Sequence, residues 1–492
     1  MRRYLIILLA VMVASILIFG ACAQTTTPQP KTPPPTSATQ PAPQPAPTTG
    51  ATKPATQTAP PTGATQPATQ PAKEAPKEIL IGDVVSYTGI YSAFGGLSSF
   101  GSKAAVEDIN KDGGIFVKEY NKKIPVRWIT VDCQSDPLKV ATLTEDLVLR
   151  EKVNFLGGGT EIPPIREGIA IIADRYNIPA VIGANPFELW QGMKKSSASG
   201  WKNSWMLGIR LGAPFPKGDF RSGKDDAYCI MPTYLGAMGK YIDQTNKKVA
   251  VFAMDDADGR PWYLAFTEIM AKQGGQISGV DKQLGIYPPG TTDFTSLIQQ
   301  WKKDGCEMLW GSAPGPDIGA ILKQSKAQGF NPKIVFTVRG AMFYEDIASW
   351  GGDLPDGVGT EIYWTPTMNG TKGIAGTTPQ TLTERWYQYS KNKPVPQGIG
   401  WAYAVMQTLF DAIERAGSLK PEAVNAALAS TDLTTMWGRV AFVMPEQHST
   451  AAAAYGQWQK TNNPWVWESP VIYSQHDLLK ATGTFIYPKP WN

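Results

Sequence analysis

The stretch TTDFTSLIQQWKKDGCEMLWGSAPGPDIGAILKQSKAQGF, residues 291–330, decides the fold. Thr292–Lys303 reads as a helix, Cys306–Gly311 as a strand and Pro316–Gln328 as a second helix, and a further strand, Lys333–Val338, follows. Strands separated by helices of this length pair in parallel, because a parallel neighbour requires a crossover that a tight turn cannot supply. Upstream, Lys248–Ala253 and Arg260–Lys272 extend the same alternation.

An earlier series repeats it. Ile79–Val85, Ile124–Asp132, Val153–Leu156 and Pro179–Ile182 read as strands, with helices over Ser98–Asn110 and Pro163–Tyr176. A third helix opens at Asp136 as N-cap and Pro137 at the first helical position, and its apolar residues include Leu138, Ala141, Val148 and Leu149. A loop-rich stretch, Lys194–Asp226, separates the two series. After residue 376 the pattern changes to helices over Thr378–Asn392, Ile399–Ala416 and Pro421–Ser430. Short strands follow over Gly438–Met444, Tyr455–Lys460 and Trp465–Trp467, so the chain is expected to return and complete both halves. The fold class is α/β, with two lobes, each a parallel sheet flanked by helices. The expected boundaries are 77–206 plus 362–438 for the first lobe and 207–361 plus 439–492 for the second. Ligands of such sheets bind outside the carboxyl ends of the strands, and two lobes facing each other make a cleft.

The front of the chain gives an address. Residues 1–23 have Arg2 and Arg3 before an apolar run, Tyr4–Phe19, and then the small residues Gly20 and Ala21 and the thiol Cys22. This is the pattern of an export signal with lipid attachment at Cys22. Phe19 departs from the aliphatic residue usual there, and Ala21-Cys22-Ala23 also fits ordinary secretory cleavage. Residues 24–76 are rich in Pro, Thr and Ala with no branched aliphatic or aromatic residue, so they are expected to form a tether without a core. The folded part is expected outside the cytoplasm, at the outer face of the membrane or in the periplasm.

Composition removes several function classes. With 46 basic and 42 acidic residues scattered along the chain, no basic stripe marks a nucleic-acid partner. Two histidines and three cysteines beyond Cys22, Cys133, Cys229 and Cys306, give no zinc spacing and at most one disulfide. No cofactor is expected. Gly157–Gly159 does not continue into a dinucleotide fingerprint and reads as a ligand loop or tight turn, and DDADG at 255–259 lacks the oxygen ligands of a calcium loop.

Five blocks then carry a resemblance. They are ILIGDVVSYTGIYSAFGGLSSFGSKAAVEDINKDGGI (79–115), DCQSDPLKVATLTEDLV (132–148), NIPAVIGANPFEL (177–189), KKVAVFAMDDADG (247–259) and the stretch 291–330. In order and spacing, over Lys77–Trp458, the chain resembles the leucine/isoleucine/valine-binding-like family, the type I extracellular solute-binding proteins of ABC transporters. The resemblance implies two lobes joined by three crossing strands, closure on a small-molecule ligand, and delivery to a membrane permease with ATPase subunits. A monomer is expected.

The resemblance also implies a ligand set. Thr88 and Gly89 match the family's first binding loop, with Tyr91 and Phe94 following it into the cleft mouth. Ala184 and Asn185 match the loop that meets a ligand carboxylate. Asp258 stands where the family places an aromatic ring, and Trp262 is its expected replacement. Thr160 and Glu161 stand where hydroxyls are usual, and Arg339 where an acidic residue pairs the ligand's ammonium. A guanidinium pairs carboxylates and repels ammonium, so an organic acid, aromatic given the nearby rings, is expected rather than a standard amino acid. The alternatives for Arg339 are an ion pair with Glu161 or Asp258 across the cleft or a solvated place at a loop, for Tyr91 and Phe94 packing under the loop, and for Trp262 a place in the second lobe's core. Rival functions are a ligand-sensing receptor domain and a cleft hydrolase, the latter without a nucleophile elbow or a histidine near the cleft loops.

Overall fold

Strand Ile79–Val85 pairs in parallel with Val126–Asp132 on one side and with Phe155–Thr160 on the other. In the computed structural model, which describes residues 74–491, these belong to a six-stranded sheet. Across it the order is His448–Thr450, Ser204–Ile209, Ala180–Pro186, Phe155–Thr160, Ile79–Val85 and Val126–Asp132, parallel throughout. Cys22, the export signal and the tether up to residue 73 lie outside the described residues.

The second sheet is built on Lys248–Met254, Met308–Ala313, Ile334–Arg339 and Val358–Ile362, which pair in parallel. Ile286–Tyr287 extends it at one edge. At the other edge Ala454–Gln457 and Val471–Tyr473 join antiparallel. These two strands come from the C-terminal return, which needs no helical crossover, so the parallel rule does not bind them. The chain passes between the sheets three times: after Ile209, after Ile362 and between Thr450 and Ala454. His448–Thr450 lies in the first sheet, so the expected change of lobe at residue 439 comes later, after Thr450.

Local signals work where expected. Asp136 accepts a hydrogen bond from the Leu138 N–H at 3.0 Å, opening helix Pro137–Leu149. Thr378 and Thr381 form a reciprocal capping box at the start of helix Pro379–Ser390. Helix Gly398–Ala416 is buried along most of its length, because it lies against helix Ser92–Lys111 of the first lobe. A Cβ on Gly101 would stand 1.9 Å from the Ile399 carbonyl oxygen, so only glycine permits that approach.

Other segments differ from the sequence reading. Gly157–Gly159 is neither loop nor turn but the buried end of strand Phe155–Thr160. A Cβ at Gly157 would meet the Val181 carbonyl oxygen at 2.2 Å, and one at Gly158 would meet Asp83 Oδ2 and Trp128 Nε1, each at 2.7 Å. Gly157 and Gly158 are a packing requirement that imitates a loop. The stretch 194–226 also contains strand Ser204–Ile209 and the end of helix Phe187–Ser196. Its remaining loop is pinned: Glu188 accepts the backbone N–H groups of Leu211, Gly212 and Ala213. The Arg210 guanidinium lies between the rings of Phe187 and Phe215, at 3.6 and 4.1 Å. Cys133, Cys229 and Cys306 are buried and form no disulfide among the described residues.

Candidate functional site

Both sheets bring their strand ends to one cavity. Its wall includes Phe94, Glu161, Ala184, Asp258, Trp262 and Arg339 from the predicted set. Glu361, Tyr363, Trp401, Met342, Ile209 and three neighbours of the predicted positions, Ile162, Pro163 and Pro186, complete it. About 30 Å³ is accessible to the centre of a water molecule. That is room for roughly two waters.

Arg339 ends strand Ile334–Arg339 with φ of 68°, a left-handed backbone unusual outside glycine. Its N–H is held by Glu361 Oε1 at 2.9 Å. The guanidinium is almost wholly buried. Nη2 donates to Asp256 Oδ2 at 2.7 Å and to Tyr91 Oη at 2.8 Å, and Nη1 donates to Asp256 Oδ1 at 3.3 Å. Nε stands 3.3 Å from Asp258 Oδ2, an ion contact without hydrogen-bond alignment. Burial alone would depress this guanidinium, but Asp258, Tyr91 and Asp256 outweigh it and raise its pKa. Of the readings open for Arg339, the ion pair with Asp258 is the one formed. Arg339 pairs with two carboxylates of its own lobe, and the argument against an ammonium-bearing ligand loses its premise.

Three carboxyl groups line the cavity besides. Glu161 is fully buried; Oε1 accepts the Ser86 N–H at 2.6 Å and Oε2 the Ser86 hydroxyl at 3.1 Å. Burial pushes its pKa up to about 7, against the opposing attraction of Arg166. That arginine is engaged in a buried ion pair with Asp83 at 2.7 Å and also donates to the Gly159 carbonyl. Glu361 is likewise raised by burial to about 7, although Tyr363 Oη donates to it at 2.5 Å. Asp258 is pushed up to about 6 by burial, opposed by Arg339.

The remaining predicted residues take other places. Thr88 and Gly89 do not line the cavity. The Thr88 hydroxyl donates to Asp132 Oδ2 at 2.7 Å, and Gly89 sits on Ser135 with φ of 87°, so the pair shapes the loop. Thr160 donates to Ser98 Oγ at 2.7 Å, inside the lobe. Ala184 lines the cavity with φ of 100°, while Asn185 lies behind the wall, its buried side-chain amide without a hydrogen-bond partner among the described residues. Tyr91 reaches the site by its hydroxyl. Trp262 lines the cavity and also packs on Phe266 at 5.5 Å.

Sequence reasoning missed Glu361, Tyr363, Trp401 and Asp256. Glu361 had a signal, a lone charge inside the otherwise uncharged run Val358–Trp364. Asp256 stands two residues before Asp258, and nothing local shows that both face Arg339. The lobes also touch through Phe94 and Phe343, whose rings meet edge to face at 4.7 Å.

Comparison with known proteins agrees with this architecture. The family model described as periplasmic binding protein matches residues 78–463. The leucine-, isoleucine-, valine-, threonine-, and alanine-binding protein of Pseudomonas aeruginosa is 22% identical over 370 residues, covering 72% of this chain and 83% of its own length. Leu/Ile/Val-binding protein homolog 2 of Brucella abortus is 21% identical, covering 78% and 91%. Among solved structures, an ABC-transporter solute-binding protein of R. palustris in complex with 4-hydroxybenzoate superposes with a TM-score of 0.60 at 18% identity, covering 82% of this chain and 98% of its own. LivJ of Streptococcus pneumoniae in complex with isoleucine gives 0.59 at 16% identity, covering 81% and 100%. At these identities the structural likeness is one of fold.

Proposed function

The chain belongs to the periplasmic binding protein family, and on that premise we propose that it is the substrate-binding component of an ABC importer of the branched-chain amino acid type. In this reading the cavity between the lobes takes a small solute with an apolar or aromatic body and an ammonium or similarly donating head. The lobes then present the solute to a membrane permease with ATPase subunits. One observation carries the ligand class: Arg339, the guanidinium on the cavity wall, is already paired with Asp256 and Asp258, while Glu161 and Glu361 line the same cavity. A ligand ammonium finds carboxylates there, and Phe94, Trp262, Ile209 and Trp401 offer apolar surface to its side chain. The Leu/Ile/Val-binding names of the relatives support this class.

A second reading has its own support. An aromatic carboxylate competing with Asp256 for Arg339 Nη2 would also receive the Tyr91 hydroxyl, and the R. palustris neighbour is solved with 4-hydroxybenzoate. Calorimetric titration with leucine, phenylalanine, phenylalanine amide and 4-hydroxybenzoate separates the two. Binding of the amine-bearing compounds supports the first reading, and binding of 4-hydroxybenzoate alone replaces it with the second. Silence across an extended solute panel overturns both and favours a sensing or catalytic role.

Family membership places the folded part outside the cytoplasm, and no helix among the described residues is long and apolar enough to cross a membrane. We propose that a lipid on Cys22 holds a monomer at the membrane surface. Cys22→Ala should then release the protein from the membrane fraction, and gel filtration should give the monomer mass.

A further inference from the structure

A second cavity, of about 440 Å³, opens beside the first, with Met342 in the wall of both. Its size falls in the range of small-molecule sites, and nothing in the ligand reading above uses it. Six aromatic residues, Tyr344, Trp364, Tyr387, Trp458, Trp465 and Trp467, wall it, and Glu468 is the only charged side chain among the described residues lining it.

Two of the rings form a slot. Tyr387 lies on helix Pro379–Ser390, which packs on the first lobe through Trp386 against Phe100 at 5.2 Å. Trp465 lies in a second-lobe loop whose carbonyl accepts the Tyr344 hydroxyl at 2.8 Å. The centroids of Tyr387 and Trp465 are 6.4 Å apart and the rings lie 18° from parallel. Aromatic pairs in contact have centroids up to about 7 Å apart, so the two rings stack directly, at the wide end of that range. A flat group between them needs about 7 Å, twice the optimal carbon contact, so an occupant enters by parting the rings.

The charge has one sign. Glu468 Oε1 accepts the Trp465 indole N–H at 3.1 Å and the Asn463 amide at 2.5 Å, which fixes ring and carboxylate together. Oε2 carries no hydrogen bond among the described residues. Burial, and after it the charge of Glu468, raises the Tyr387 pKa, so the carboxylate acts on both rings of the slot. Electron-rich ring faces attract cations, and they do so more strongly when water is excluded. An anion would meet Glu468, and a neutral flat molecule would leave that carboxylate unanswered.

We propose that this groove is a second ligand site and takes a flat organic cation, its plane between Tyr387 and Trp465 and its charge against Glu468. Because the two rings come from different lobes, an occupant also bridges them.

A matched pair of probes tests it: 1-methylnicotinamide, a flat cation, and nicotinamide, its neutral counterpart, titrated calorimetrically into the full chain. The cation should bind about tenfold or more tightly than the neutral probe. Glu468→Gln should erase that preference, and Trp465→Ala should abolish binding of the cation with the fold retained. With tryptophan-labelled protein, the indole resonance absent from a Trp465→Phe variant should be one that moves on titration. Equal affinity for the two probes would overturn the charge argument. Movement confined to other indoles, such as those of Trp262 and Trp401, would place the cation in the first cavity and overturn the site. Absence of binding by either probe at roughly 10 mM, weaker than any specific site warrants, would overturn it as well.

Discussion

Arg339 and Tyr91 close the cleft from opposite lobes: Nη2 at the end of strand Ile334–Arg339 donates at 2.8 Å to the hydroxyl of a residue that precedes helix Ser92–Lys111. The same hydroxyl stands 3.3 Å from Asp256 Oδ2, so one phenol from the first lobe meets an ion pair of the second. Tyr91→Phe keeps the ring and deletes both contacts. A hydrogen bond to a charged group contributes about 1.5–3 kcal/mol, enough to move a ligand-free population toward the open form. Small-angle scattering without ligand should give a larger radius of gyration for Tyr91→Phe than for wild type. Identical radii would mean that this bond does not hold the lobes together.

Removing the guanidinium tests the same cluster from the other side. Arg339→Ala leaves Asp256 and Asp258 without the counter-charge that pairs them. Breaking one side of a buried ion pair costs about 3–5 kcal/mol, read as a lower urea midpoint. Adding Asp258→Asn to Arg339→Ala should recover part of the loss. Additive effects of the two substitutions would show that the residues act separately. Arg339→Lys keeps the charge but loses the fork that reaches Tyr91 and Asp256 at once, so it should fall between wild type and Arg339→Ala.

Buried Glu161 and Glu361 give a pH dependence of definite sign. Each is raised from the ordinary 4.5 to about 7 by burial. Between those values the folded protein binds protons that the unfolded chain has released, so stability falls as pH rises. The contribution is fully present below about pH 4.5 and is lost as pH passes through about 7. Glu161→Gln removes one of these titrations. Denaturation at pH 5 and pH 8 should find the variant flatter than wild type by on the order of 1–3 kcal/mol. A variant as steep as wild type would mean that Glu161 does not titrate in this window.

Two helical glycines separate packing from propensity. Gly101→Ala drives a Cβ to 1.9 Å from a backbone oxygen of helix Gly398–Ala416, which cannot swing aside. Overpacking of this kind costs about 1–3 kcal/mol, seen as a lower thermal midpoint. Gly192→Ala, on helix Phe187–Ser196, has no atom within 4 Å of its new Cβ. It should instead stabilise by up to about 1 kcal/mol through helix propensity.

The sequence alone determined the alternation of strands and helices, the N-cap at Asp136, the division into two series and the return of the chain. Those features are local: apolar periodicity and capping are written within a dozen residues, and parallel pairing follows from crossover length. The family resemblance also brought Phe94, Glu161, Ala184, Asp258, Trp262 and Arg339 into view as one group, and all six line the cavity at the strand ends. Only the tertiary structure decided what charge that group presents. Whether Arg339 is free or spent depends on where Asp256, Asp258 and Tyr91 point, residues 83, 81 and 248 positions away in the chain. Only packing made Gly157–Gly159 a buried strand rather than a loop, since the need for glycine there comes from Val181, Asp83 and Trp128 on other strands. The aromatic slot of Tyr387 and Trp465 was invisible for the same reason: each ring is an ordinary partly buried side chain until the fold sets it opposite the other.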